Sequence, residues 1–286
     1  MREFKNKINS LIIRLVSLIG IIILILIFEF IIMESIPALK KVGMEMLTSF
    51  DWYPTYDIPT FGILNMLINS ILLTILSSLI VLPLGYIIAF FLYDYAKEFE
   101  KKYIKGTIEL LSGIPSVIIG MFLIIHISPW MLKIGAWSPE NILLASIGLT
   151  VLSLPYTSSL IEEAMSSVDK NIKEGALSLG ATRFTTGFKI VSKAAYPGII
   201  NAFILTINRI IGETMVVLMA AGGANIIPTS IFDPVRPLTA VIASEIGEVE
   251  IGSIHYSALF FSGLILLLIS FFLTLISKQI SRRWDK

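Results

Sequence analysis

The sequence predicts an all-α, polytopic membrane helix bundle of about six transmembrane helices. Three observations carry that prediction. Hydrophobic residues make up 55% of the 286-residue chain and charged residues only 15%, against about 25% charged in soluble domains. The apolar residues gather into runs long enough to cross a bilayer, which takes about 20 residues. Lys and Arg are unevenly shared between the segments that separate those runs. Cysteine is absent, which excludes disulfides, thiolate metal sites and thiol catalysis. The formal net charge of +1 names no partner, and no nucleic acid is expected.

The first run, residues 11–33, follows a basic start with Arg2, Lys5 and Lys7. It is longer than the apolar core of a signal peptide and no A-x-A-like site follows, so it reads as an uncleaved span. Glu29 falls near its outer end, within reach of the interface. The other runs cover residues 63–93, 107–127, 142–165, 195–220 and 256–277. Pro83, Pro115 and Pro155 lie within the second, third and fourth, where each removes a backbone bond. Membrane bundles accept this when neighbours satisfy the freed carbonyls. Glu109 opens the third run, where an acid suits the helix dipole. Asn69 and Ser70 are placed to bond between helices. His126 and His255 stand alone near outer ends, which makes no metal site, and no cofactor is expected.

Placing the N-terminus in the cytoplasm puts seventeen of the 22 basic residues inside. Lys40, Lys41, Lys133 and Arg236 fall outside, and Arg209 lies in the membrane. That bias follows the positive-inside rule, so both termini are expected in the cytoplasm and the chain in the plasma membrane, surrounded by lipid. Two outer segments, 35–62 and 221–255, are too long for simple turns. Their Trp52, Tyr53, Ile231 and Phe232 predict ordered loops touching the membrane face or a partner.

Between the fourth and fifth runs, residues 166–199 are polar yet patterned. Asn171 is placed to cap a short helix, with Glu174 three residues on. Ile172, Ala176, Leu177 and Leu179 give it a partly apolar face, and Gly180 fits its stop. So short a helix is marginal alone in water and needs a surface to pack against. The segment resembles the cytoplasmic "EAA" loop of type-I ABC importer permeases. Glu174, Gly175, Ala176 and Gly180 keep that loop's spacing, and "LGAT" follows at 179–182. Gly175 stands where the family usually has Ala, and Ser192-Lys193 where Leu-Pro is usual. The resemblance implies a coupling helix near 167–183 that docks on an ATP-hydrolysing subunit. The chain has no phosphate loop of its own, so it is not expected to be an enzyme and ATP hydrolysis belongs to a separate subunit.

The fifth run carries Arg209 and Glu213 in "INRIIGETMVVL". An intramembrane charge costs about 2.5–3.5 kcal/mol on insertion scales and asks for a reason. In a continuous helix the two residues share one face. Arg offers a planar, permanently charged fork to an oxyanion. A neighbouring carboxylate would neutralise the empty site or accept the proton of hydrogen phosphate, which sulfate and molybdate dianions lack. A structural ion pair that fastens the fifth span to its neighbours is the other reading.

"NRIIGETMVVLMAAGG" is similar to the corresponding stretch of phosphate ABC permeases of the PstC type. "DWYP", "GIPSVIIG" and "HYSALFFSGLILL" agree, and the resemblance covers nearly the whole chain after residue 50. It implies the type-I ABC importer permease fold, with residues 1–60 as an N-terminal helix and external loop and 61–286 as the permease core. It further implies a substrate pathway through Asn208, Arg209, Glu213 and Thr214. The implied partners are two ATP-binding subunits, a second permease of the PstA type and an external phosphate-binding protein. Another oxyanion permease, a stand-alone secondary transporter and a membrane scaffold remain open alternatives.

Overall fold

The computed structural model of the chain describes the backbone of residues 2–284 and the side-chain surroundings of residues 10–280. The side chains of Arg2, Lys5, Lys7, Arg282, Arg283 and Lys286, counted above toward the charge bias, lie outside the described residues. Helix α1 runs over Arg2–Lys41 and leads through α2 (Glu45–Thr48) into a two-stranded antiparallel hairpin, β1 (Trp52–Tyr53) and β2 (Thr60–Phe61). Helix α3 (Leu64–Phe90) continues into a π-helical turn, Phe91–Tyr95. Then come α4 (Glu98–Ser112), α5 (Ser116–Phe122), a second π turn at Leu123–Ile127, α6 (Ser128–Lys133) and α7 (Ile142–Ser166). The polar connector holds α8 (Lys170–Ser178), α9 (Arg183–Thr185), a third π turn at Thr186–Val191 and α10 (Ser192–Ala194). Helices α11 (Tyr196–Ile211), α12 (Met215–Ala220), α13 (Leu238–Glu245) and α14 (Ile254–Trp284) complete the chain.

Five stretches among the described residues are long and apolar enough to span: 10–41, 64–95, 116–133, 142–166 and 254–280. The pair Arg183–Ala194 and Tyr196–Ile211, bent by 74°, is apolar and long enough for a sixth where the two count as one span. The structure is thus a mostly helical bundle with five candidate spans, or six with the bent pair. Its centre is the pair α3 and α7. Their buried faces carry Ser77, Ser78, Gly85 and Ala89 on one side and Ala145, Gly148, Ser153 and Thr157 on the other. Small residues let helix backbones approach where lipid supplies no hydrophobic drive. At Gly85 the approach is close enough that a Cβ would lie 2.7 Å from the Thr157 methyl. Pro83 and Pro155 lie within these two helices, as the sequence predicts.

Several expectations are corrected. The third span begins at Ser116, not at 107, because Gly113 ends α4 and Pro115 stands at the N-cap of α5 with ψ 137°. Pro115 therefore opens a helix rather than kinking one, and Glu109 lies near the end of α4 rather than in a first turn. Helix α4 buries no residue of its own. It is strapped to α7 by Lys101 and Lys105, whose ammonium groups lie 2.9 and 2.7 Å from the buried Glu162 carboxylate. The run at 195–220 is not one helix: α11 ends at Ile211, and α12 begins only at Met215. Ser70 does serve another element, accepting from the Leu238 amide at the start of α13 at 2.9 Å. Asn69 reaches the Ile226 carbonyl in a loop at 3.1 Å rather than a helix.

At the α13 end of the bundle the long segments are ordered, but Trp52 faces inward. It is 3% exposed, and its indole N–H donates to Glu245 at 3.1 and 3.2 Å. Glu245 also binds Arg236 at 2.5 Å and His255 at 2.7 Å, so His255 does not stand alone. These residues form one side of a cleft of about 770 Å³ that includes Tyr53, Tyr56, Glu248 and Glu250. Tyr53 and Ile231 are exposed. Among the described residues no cluster of three or more His, Asp or Glu is arranged for a metal.

Candidate functional site

Two regions carry the residues singled out in the sequence. The first is the break in the fifth run. Gly212 caps α11 and Thr214 precedes α12, so residues 212–214 leave the helix. The break frees the Glu213 carbonyl, which accepts the Thr239 hydroxyl of α13 at 3.0 Å. A neighbouring side chain thereby satisfies the backbone group that the helix gave up. The buried face of α11 presents Ala202, Thr206 and Ile210, and Thr206 bonds Thr157 of α7 at 3.0 Å.

Arg209 sits in the last turn of α11, where a cation suits the helix dipole. It is exposed, and its guanidinium carbon lies 5.4 Å from the centroid of the Tyr156 ring on α7. Glu213 and Thr214 are half-buried in the break itself, with the Thr214 hydroxyl 3.4 Å from the Gly212 carbonyl. Among the described residues no ion pair joins Arg209 to Glu213. The shared helix face expected from their spacing is absent, because the helix ends between them. Asn208 turns toward α14, where its amide reaches Thr274 at 3.5 Å. The structure therefore gathers Arg209, Glu213 and Thr214 about one break and directs Asn208 elsewhere.

The second region is the connector. Helix α8 is capped by Asp169, whose carboxylate accepts the Asn171 amide at 2.9 Å. The cap is therefore two residues earlier than Asn171. At the other end Gly180 has φ +83°, the left-handed conformation that glycine adopts without a Cβ clash. Its amide reaches the Leu177 carbonyl at 2.9 Å and that of Ala181 reaches Ala176 at 3.2 Å, the paired bonds of a Schellman stop. Ala176 is the buried residue of α8. Glu174, Gly175 and Gly180 are exposed. So are Ile172, Leu177 and Leu179, the last 91% exposed. The helix that the sequence marks thus presents its apolar residues outward.

Sequence reasoning missed the groups that hold these regions. Asp94, in the first π turn, is buried and bonded to Lys173 of α8 at 2.6 Å. The only signal was an acid between two tyrosines after an apolar run. At the α13 end, Asp233 accepts the Trp137 indole at 2.8 Å and the Thr229 and Ser230 amides at 2.7 and 2.9 Å. The Trp137 bond first, and then those amides, hold its carboxyl at a pKa of about 2, below the ordinary 3.8.

Comparison with known proteins follows the same lines. Residues 81–286 match the family described as binding-protein-dependent transport system inner membrane component. A probable ABC transporter permease protein of Bacillus subtilis (strain 168), YqgH, is 37% identical over 241 residues, covering 84% of this chain and 78% of its own. The phosphate transport system permease protein PstC of Mesorhizobium japonicum is 29% identical over 268 residues, covering 87% and 81%. A solved bacterial alginate ABC transporter, in complex with an alginate pentasaccharide-bound periplasmic protein, shares the fold. It superposes with a TM-score of 0.63 over 94% of both chains at 16% identity. A family match over most of the chain and a relative above 30% identity lead to one conclusion: the chain belongs to the binding-protein-dependent transport system inner membrane components and is an ABC importer permease.

Proposed function

We propose that this permease carries inorganic phosphate inward across the plasma membrane, driven by ATP hydrolysed on a separate subunit. The observation that carries the substrate reading is the Arg209 guanidinium at a break in a membrane helix, in a chain with phosphate permeases among its relatives. Arg209 attracts the dianion and offers it a bidentate fork. Glu213, next to the break, accepts the proton that hydrogen phosphate carries. Thr214 adds a hydroxyl. Sulfate and molybdate lack that proton and pair less well with a carboxylate nearby.

In this reading α8 lies in the cytoplasm with both termini, and the Trp52–Glu245 cleft lies outside. Residues 61–286 form the permease core, flanked by residues 1–60. Of two ATP-binding subunits, one docks on the exposed Ile172 and Leu177 of α8 and on Leu179 just beyond it, and the other on the partner permease. A PstA-type permease completes the pore, and an external phosphate-binding protein delivers the anion. ATP binding draws the two coupling helices together and turns the bundle outward. Co-purification tests the arrangement. The wild-type chain is expected to retain its ATPase subunit, and Leu179→Glu is expected to lose it while the permease stays folded. Normal retention by Leu179→Glu, or phosphate uptake by this chain alone, would overturn the reading.

A further inference from the structure

We infer that Asp94 is a positioning residue that locks the coupling helix to the end of α3, so that movement of α8 is delivered to the bundle rather than lost in a flexible connector. The inference rests on the reading of α8 as the ATPase-engaging segment. It starts from how little else holds that helix. Ala176 is the buried side chain that α8 contributes. Hydrophobic contact on that scale cannot fix a helix of nine residues against a moving partner.

The Asp94 side chain, by contrast, is 0% exposed, and Lys173 Nζ reaches its Oδ1 at 2.6 Å. The same ammonium lies 4.5 Å from the centroid of the Tyr93 ring. On the far side of the glycine stop, Arg183 donates to the Asp94 backbone carbonyl. Its Nε is 3.8 Å from Oδ1, and its guanidinium stacks on Tyr95 at 5.6 Å. Cations from within α8 and from just beyond it therefore grip one turn of backbone. That turn is the π-helical end of α3, and π turns recur at functional sites.

The third π turn closes the lock from behind. A Cβ at Gly187 would lie 3.0 Å from Asp94 Oδ2 and 2.9 Å from the Phe90 ring. Phe184 and Phe188 pack edge-on to Phe90 at 5.8 and 6.4 Å. A buried ion pair is a weak source of net stability, and apolar residues of similar volume often serve as well. What it fixes is position, and here it fixes α8 to α3, the helix that shares its length with α7.

The test uses the assembled transporter in proteoliposomes and reads solute moved per ATP hydrolysed. Asp94→Asn and Lys173→Gln are each expected to lower that ratio about tenfold, a coupling loss within the usual range. The double variant is expected to fall no further than either single one, and Lys173→Arg to keep the ratio. A purely structural role would lower transport and hydrolysis together, so an unchanged ratio in both single variants overturns the inference. Hydrogen exchange in the full chain gives a reading that needs no transport. Amides of residues 170–181 are expected to exchange about tenfold faster in Asp94→Asn, with α14 unchanged, because the locally held segment opens more often. Unchanged protection there also overturns the lock. A wild-type chain that moves nothing with ATP would instead sink the importer reading and the coupling role with it, while the exchange result still decides whether Asp94 holds α8.

Discussion

The Arg209 guanidinium carbon lies 5.4 Å from the centroid of the Tyr156 ring, so the last turn of α11 meets α7 through a cation and an aromatic face. That contact orients the arginine without neutralising it, and in the proposed function its charge serves the phosphate. Arg209→Ala is expected to abolish phosphate uptake while the transporter still assembles. Arg209→Lys keeps the charge but loses the planar fork, and uptake is expected to fall by about an order of magnitude. Tyr156→Leu removes an exposed cation–π contact of about 0.5–1 kcal/mol. Its uptake is expected to fall only a few-fold. A Tyr156→Leu loss as large as that of Arg209→Ala would show that the ring does more than orient.

The Asp233 carboxylate predicts a pH dependence at the α13 end. Its folded pKa of about 2 lies below the ordinary 3.8. A depressed pKa means that the folded state favours the charged form, so the stabilisation is complete above about pH 4. It fades as the pH falls from there toward 2, as the carboxylate takes up a proton. Asp233→Asn is expected to unfold at a lower temperature than wild type at pH 7, with the two approaching each other below pH 4. Intrinsic fluorescence, to which Trp137 contributes, reports the transition. A difference that stays constant from pH 7 to pH 3 would contradict the assignment.

Gly222 and Gly223 form a matched pair for a backbone test. Their φ values are +88° and +71°, so a Cβ strains either by about 1–2 kcal/mol. At Gly222 the added carbon would also meet Pro234 Cβ at 2.5 Å and the Glu140 carbonyl at 2.7 Å, whereas at Gly223 nothing lies within 4 Å. Gly222→Ala is expected to lower the thermal midpoint by clearly more than Gly223→Ala. Equal losses would mean that the 221–237 segment can move away from Glu140.

At Gly175 the expectation has the opposite sign. It lies inside α8 and nothing would meet its Cβ within 4 Å. Gly within a helix costs about 0.5–1 kcal/mol relative to Ala. Gly175→Ala, which restores the residue usual in the resembling loop, is expected to raise amide protection across residues 172–178 by a few-fold. Lost ATPase co-purification in that variant would instead identify Gly175 as a close contact of the partner.

Much of this was legible in the sequence because a bilayer leaves few choices. A span must be long and apolar, so runs at 11–33, 63–93, 142–165 and 256–277 locate the helices 10–41, 64–95, 142–166 and 254–280. Gly180 was legible for a related reason, since few residues but glycine take φ +83° at a helix stop. What failed was hydropathy where an apolar run is interrupted. The run at 107–127 takes Pro115 as a break inside one span, although Pro115 pushes Ile114 out of helical conformation and a new helix starts after it. The run at 195–220 crosses Gly212 unnoticed, although the helix ends there. The Asp94 lock was invisible for another reason: Lys173 and Arg183 lie 79 and 89 residues away along the chain. No local pattern records a partner at that distance.

The most direct measurement is uptake of radiolabelled phosphate by proteoliposomes holding this permease with its partner permease, ATPase and binding protein. Uptake is predicted to require ATP, to persist against excess sulfate or molybdate, and to vanish in Arg209→Ala while ATP is still hydrolysed. Full phosphate uptake by the Arg209→Ala transporter would contradict the account.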